Sequence, residues 1–250
     1  MEVRTRSLRS SGLLLPAVAA AFAVFCLLFL LSSGLGARLG LWQFRTGFSL
    51  LKWAAYCGLA CAALSVFSVV ISVRRRQLAG MLLSLLALLG GVLAFGVPYS
   101  WKLKAQSNPR IHDISTDLDN PPKFVTVLPL RGGTAEYGGA AIASQQLKAY
   151  PELRTLVLPV SKEQAFQSAL SAAGELGWQI VDAVPAEGRI EATDTTFWFG
   201  FKDDIVIRVF PAGDRSLLDI RSVSRVGASD LGTNAERIRK FLARVSSQPR

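Results

Sequence analysis

The sequence predicts three N-terminal transmembrane helices followed by one soluble α+β domain, an antiparallel sheet with helices packed on one face in the order β-α-β-β-β-β-α. Three observations predict it. Apolar runs fill 13–31, 48–73 and 77–99, whereas from about Ala105 the composition is that of an ordinary soluble domain. The net charge of +10 is confined to the first part: residues 1–104 hold eleven Lys/Arg and a single acid, Glu2, while the remainder holds 17 bases and 17 acids. Past residue 177, four strand-like runs follow one another through short turns, which is how hairpins and antiparallel sheets are written. The predicted division is a membrane anchor over 1–104 and a soluble domain over 105–250.

A helix rising 1.5 Å per residue needs roughly 20 apolar residues to cross about 30 Å of hydrocarbon. Segments 12–34, 48–73 and 77–99 meet that requirement. Pro16 falls in the first turn of the first span, where a missing N–H costs little. Lys52 is close enough to the start of the second span to snorkel, and Pro98, Tyr99, Trp101 and Lys102 end the third with an aromatic-plus-cation boundary. The first apolar stretch is too long for a cleaved signal peptide, and two more spans follow it. Ala54, Gly58 and Ala62 recur at fourfold spacing, which suits close helix contact. No acid or His lies within the spans, so the usual proton relay or ion site is missing and the region reads as an anchor. Cys26, Cys57 and Cys61 all fall in apolar runs and read as small packing residues. The soluble part has no Cys for a disulfide framework or a thiolate metal site.

Orientation follows from short-loop charge. Arg4, Arg6 and Arg9 precede the first span, and Arg74, Arg75 and Arg76 lie in the turn between the second and third. Positive charge stays inside, so three spans carry the C-terminal domain across the membrane. Arg38, Arg45, Lys102, Lys104 and Arg110 weigh against that assignment.

Residues 105–135 read as irregular, broken by Asn108-Pro109, by HDISTDLDNPP (112–122) and by Arg131-Gly132-Gly133, with a strand-like stretch at Phe124–Leu128. A short helix is expected over Gly139–Ala149 and a strand over Thr155–Pro159. Ser161 with Gln164 has capping-box spacing ahead of a helix whose stripe is Ala165, Phe166, Ala169, Leu170, Ala173 and Leu176, ended by Gly177. Strands are expected at Trp178–Val184, Arg189–Phe199, Ile205–Phe210 and Ser216–Val226, joined by turns such as Glu187-Gly188, Asp203-Asp204 and Gly213-Asp214. A last helix runs over about Leu231–Val245.

Alternation assigns the sheet faces. Ile205, Ile207, Val209, Leu218 and Ile220 point toward the helices. The opposite face gathers Arg208, Arg221 and Arg225 with Asp219, near Arg189 and Glu191. Such a face is either a solvated cross-strand charge ladder or a surface that binds an anion or a partner. Nucleic acid is excluded as a partner, because the bases flank the apolar segments instead of clustering on the globular part.

Three stretches, IHDISTDLDNPPKF (111–124), RIEATDTTFWFGFKDDIVIRV (189–209) and DIRSVSRVGASDLGTNAERIRKFL (219–242), resemble the bacterial family called domain of unknown function 1499. The resemblance spans about 105–245, with Ser115 where the family pattern suggests Thr. It implies a bacterial envelope or membrane protein, here an inner-membrane protein with a periplasmic domain, and it implies no activity.

Asp113, Asp117 and Asp119 lie within seven residues, beside His112 and Asn120. Carboxylates so spaced can hold Ca²⁺ or Mg²⁺, but the glycine and distant Glu of an EF-hand are missing, and Asp before Pro also favours turns, so the loop also reads as a structural turn with salt links to the Arg face. His112 is the only His, so a multi-His metal site is impossible. No nucleophile elbow, phosphate loop or dinucleotide fingerprint occurs. Asp230, with Asn234 and Arg237, is expected to cap the last helix. The expected function is therefore a membrane-anchored binding module for an envelope protein partner or an anionic ligand. Its candidate contact residues are Arg208, Arg221, Arg225, Asp113, Asp117 and Asp119. No cofactor, metal or catalytic residue is assigned. The rival readings are a hydrolase or lyase using the Asp-rich loop 113–119, with or without a divalent metal, and a structural module whose helices assemble with others.

Overall fold

The computed structural model describes residues 2–132 and 135–248, with side chains from residue 12 onward. Gly133 of the predicted glycine break, and the side chains of Arg4, Arg6 and Arg9, lie outside what it describes. The chain forms two compact units. One comprises Met1–Leu103 with Trp198–Gly200, and the other Lys104–Phe197 with Phe201–Arg250.

The first unit is built on α1 (Glu2–Arg38), α2 (Phe44–Arg74) and α3 (Leu78–Ser107). The apolar parts of these helices are 27, 31 and 30 residues long, more than enough to span a bilayer. Their packing is inverted relative to a water-soluble bundle. The side chains facing inward on α2 are Gly47, Leu51, Ala54, Gly58, Cys61, Ser65, Ser68 and Ser72, whereas Phe25, Leu28, Trp53, Leu59, Phe67 and Leu86 are exposed. Lipid solvates large apolar groups as well as a core does, so small residues go inside and let backbones touch. The small-residue stripe alternates steps of four and three, so it turns from Gly58 to Cys61; Ala62 is only half-buried. A Cβ added to Gly58 would lie 2.7 Å from Phe95 N, and one on Gly91 2.7 Å from Ala62 N. Ser68 and Ser84 share a 2.7 Å hydroxyl hydrogen bond. Trp198 and Phe199 belong to this unit: the Trp198 indole donates to Leu31 O at 3.2 Å, and its ring meets Trp101 at 5.0 Å. The predicted strand through Phe199 accordingly stops at Thr195.

In the second unit, β1 (Asp113–Ser115), α4 (Gly139–Ala149), β2 (Leu156–Leu158), α5 (Lys162–Glu175), β3 (Gln179–Val184), β4 (Arg189–Thr195), β5 (Lys202–Ala212), β6 (Arg215–Ser224) and α6 (Thr233–Ser247) make one antiparallel sheet with helices on one face. The strand order is β1-β6-β5-β4-β3, and β2 also pairs with β6. Two three-residue strands thus share one edge of β6, β1 against 221–223 and β2 against 216–218. Between them Thr116 closes the gap, its amide donating to Ile220 O at 3.0 Å and its hydroxyl accepting from Ile220 N at 2.9 Å.

The helix-facing residues are those that alternation assigned. Ile205, Ile207, Val209, Leu218 and Ile220 pack on Phe166, Ala169, Ala173, Ile238 and Phe241 of α5 and α6, all buried. Ser161 and Gln164 complete a capping box at α5. Gly232 is the N-cap of α6, and Asp230 supports it from outside, accepting from Asn234 N at 2.7 Å and Gly232 N at 2.9 Å. Burial, opposed by these amides, holds the Asp230 carboxyl above its ordinary value.

Three further local expectations change. The stretch 105–135 is irregular only in part, since α3 runs on to Ser107 and Asp113–Ser115 form β1. Asp203-Asp204 is no turn: both residues lie inside β5 and, being consecutive, face opposite sides of the sheet. Phe124–Leu128 is no strand; it runs irregularly into a single 3₁₀ turn at Leu128–Arg131, whose Pro129 cannot donate to a ladder.

Candidate functional site

The sheet face away from α5 and α6 carries the charged residues, and register decides who meets whom. Arg208 lies opposite Arg189 on one side and Asp219 on the other; Val206 lies between Glu191 and Arg221; Asp204 lies between Thr193 and Val223. Over this face runs the segment from Thr116 to Arg131. Phe124 and Val127 insert onto Val206 and Val223 as a second, small apolar cluster, so the charged groups are covered.

Covering them requires partners, since a buried charge left alone is very costly. Arg221, 2% exposed, forms a two-pronged pair with Asp113 at 2.9 and 2.7 Å. It also donates to the carbonyls of Pro122 and Ala135 at 3.2 and 2.7 Å. Its guanidinium lies 5.4 Å from the ring centres of both Phe124 and Tyr137. Arg208 donates to Asp117 and Asp219, each at 2.8 Å. Thr116 and Thr155 hydroxyls occupy the other Asp219 oxygen at 3.1 and 2.6 Å. Arg225 grips Asp204 with two 2.8 Å bonds, and Arg131 adds a third at 2.7 Å. Glu191, with no exposure, accepts from three consecutive amides, Val125, Thr126 and Val127, at 2.9, 3.2 and 2.8 Å, and from Arg189.

Five of the six candidate residues are therefore dispersed among separate pairs, while the sixth, Asp119, is exposed and forms no ion pair among the described residues. Asp113 is taken by Arg221 and Asp117 by Arg208. Asp117 also accepts the amides of Asp119 and Asn120 in a local turn. Burial raises the Asp117 carboxyl, but those amides and Arg208 outweigh it and leave it below the usual carboxylate range. The Asp-rich loop thus does not converge on one point, and among the described residues no three His, Cys, Asp or Glu side chains are placed to hold a metal ion.

Residues that the sequence left in the background complete the arrangement. Gln146 of α4, 1% exposed, caps the strand edge by accepting from Ser115 N at 3.0 Å and donating to Ser115 O at 2.6 Å. Arg237 of α6 lies on the helix side of the sheet with Asp203 at 2.7 Å and Asp194 at 2.9 Å. A family model described as a protein of unknown function, DUF1499, matches residues 113–245, from the first strand to the end of the last helix and over more than half of the chain. The chain belongs to the DUF1499 family. No curated protein matches it. The DUF1499 match begins at Asp113 and so takes in both halves of the buried pair with Arg221.

Two clefts flank the covering segment of this DUF1499 unit. One, of about 350 Å³, lies between Asn120–Phe124 and Ala135–Tyr137, with Arg221 in its wall. The other, of about 270 Å³, is lined by Pro121, Lys123, Val125, Arg189 and Arg208. In the first, the Tyr137 hydroxyl is buried and, among the described residues, has no hydrogen-bond partner. Burial, with Asp113 adding to it, pushes the Tyr137 phenol up to about 12, so it keeps its proton.

The Asp204 cluster carries a pH signature. Burial raises its carboxyl, but hydrogen bonds from Arg225, Thr193 and Arg131 outweigh that and leave it below its ordinary value. A carboxylate depressed in the folded state contributes stability that is fully present above its unfolded pKa of about 4, and that is lost as pH falls through the folded value. Melting curves from pH 7 down to about 2 should show the domain weakening below about pH 4. Asp204→Asn should lower the melting temperature at pH 7 and flatten that acid limb.

Proposed function

We propose that this DUF1499 protein is a membrane-anchored binding module of the bacterial inner membrane, with residues 104–250 on the periplasmic side, and that it takes a segment of a protein partner into the cleft beside Tyr137. One observation carries the reading: Tyr137 lines an open cleft, and its proton-bearing hydroxyl is buried and has no hydrogen-bond partner among the described residues. An unmade buried hydrogen bond costs free energy that a peptide carbonyl would recover. Apolar exposure elsewhere on the covering segment fits the same partner class, since Val125, which lines the second cleft, and Leu130 are each more than half exposed.

Between the two ligand classes expected from the sequence, the charges favour the protein. Arg208, Arg221 and Arg225 already hold carboxylates of this chain. An incoming anion would have to displace Asp219 or Asp204, each held by further hydrogen bonds, or Asp113 from its two-pronged pair. The periplasmic placement rests on the cations at Arg4, Arg6, Arg9 and Arg74–Arg76; a reporter fused after Arg250 that works only in the cytoplasm would reverse it.

A photoreactive amino acid at Lys123 or Leu130, in cells, should give one discrete protein adduct, while the same probe at Glu163 on α5 gives none. Tyr137→Phe should weaken that capture about fivefold, the worth of one neutral hydrogen bond. Capture unchanged by Tyr137→Phe, or no adduct at either position, defeats the proposal. Stabilisation of the purified protein by millimolar phosphate or pyrophosphate would favour the anionic ligand instead.

A further inference from the structure

We propose that the groove between α2 and α3 binds one anionic phospholipid, with the headgroup phosphate held between Lys52 and Lys102. The register of the two helices brings the lysines together. They run antiparallel: Ser68 meets Ser84, Gly91 abuts Ala62, and Gly58 abuts Phe95. Continuing that register past Gly58 puts Lys52 level with the turn that holds Trp101 and Lys102. Up to Gly58 the backbones touch. Beyond it the space between the helices opens into a groove of about 400 Å³.

The lining follows from helical spacing. Phe48, Lys52, Ala55 and Tyr56 fall on one stripe of α2, and Phe95, Pro98, Tyr99 and Lys102 on one stripe of α3. The floor is apolar, and the polar atoms belong to two lysines and two tyrosines. Tyr56 lies under the Lys52 ammonium at 6.0 Å, and Tyr99 stacks on Phe95 at 5.4 Å. At 31 residues α2 is about 46 Å long, so its end turns pass beyond the hydrocarbon. Lys52, eight residues in, sits about where acyl chains meet headgroups.

Charge decides the occupant. The only acid in the first 104 residues is Glu2, and among the described residues neither lysine forms an ion pair with the protein. Two cations level with each other at the edge of a low-dielectric layer call for a counter-charge, and an apolar floor calls for acyl chains. A free phosphate would satisfy the first need alone; a phospholipid satisfies both.

The test is native mass spectrometry of the full chain released from detergent, titrated with phosphatidylglycerol and phosphatidylcholine. One phosphatidylglycerol should be retained with a preference of roughly thirtyfold, about the effect of two lysines on one anionic headgroup. Lys52→Gln with Lys102→Gln should bring the preference to within about twofold, while Lys104→Gln, outside the groove, leaves it unchanged. Ala55→Trp fills the groove with both lysines in place and should abolish retention. Equal retention of both lipids by the wild type, an undiminished preference in the double variant, or a lipid-free dimer that Ala55→Trp disrupts would each overturn the proposal.

Discussion

Replacing Glu191 by alanine should cost about 3–5 kcal/mol of stability and release the covering segment from the sheet. Glu191 sits in the middle of β4 with no exposure, and its two oxygens take the amides of Val125, Thr126 and Val127. Those amides belong to an irregular stretch with no neighbouring strand to receive them. In a ladder each would find a backbone carbonyl; here one carboxylate serves all three, as an anion serves a nest of backbone N–H groups. Alanine would strand the Val127 amide, which is buried, and leave Arg189 with Asp182 and Glu187 as its ion partners and the Thr126 hydroxyl as a neutral one. Glutamine keeps one acceptor but turns an NH₂ toward a donor, so it should fall between alanine and the wild type. Hydrogen exchange reads the effect directly. Protection at Val125–Val127 should vanish in Glu191→Ala while that of β5 and β6 amides survives. Unchanged protection at 125–127 would mean that Phe124 and Val127, packed on Val206 and Val223, hold the segment by themselves.

This dependence on a distant carboxylate also marks the limit of what could be read from the sequence. The spans were legible because each is a long run with a single local cause. The sheet faces were legible because alternation needs only residues two apart, and Ile205, Ile207 and Val209 do face the helices. Asp203-Asp204 was misread as a turn because Asp disfavours strands locally. Its place in β5 is set by Arg237 and Arg225, which reach it from α6 and from just past the end of β6, and such tertiary contacts override strand propensity. Phe124–Leu128 was misread in the opposite sense: its apolar character is real, but its amides go to Glu191. Of the candidate residues, the Arg face was visible and its pairing with the Asp-rich loop was among the readings. The identity of each pair was not, since Asp113 and Arg221 are separated by 108 residues and meet only because β1 lies against β6. Tyr137 left no trace at all, because a missing hydrogen-bond partner is a property of the fold alone.

The pair so formed sets the second large effect. Arg221→Ala should destabilise the protein by about 3–5 kcal/mol, because Asp113, 7% exposed, would keep a buried charge without its cation. The carbonyls of Pro122 and Ala135 would lose a donor as well. Arg221→Lys should recover less than half of the loss. An ammonium cannot present two parallel N–H groups to Asp113, nor stack flat between the rings of Phe124 and Tyr137. The informative variant joins Arg221→Met to Asp113→Asn. With no lone charge remaining, it should be more stable than Arg221→Ala by about 1–3 kcal/mol, although it has lost both ions. Denaturation midpoints of the wild type, Arg221→Met alone, Asp113→Asn alone and the double variant form a closed cycle. Strong coupling means that the Asp-rich segment is fastened at this point by its charge. Additive losses would instead mean that Arg221 acts through its stacking and its carbonyl contacts, with Asp113 incidental. The same cycle bears on Tyr137, whose ring leans on the guanidinium. If the double variant folds but no longer crosslinks from Lys123, the pair shapes the cleft wall as well as holding it down.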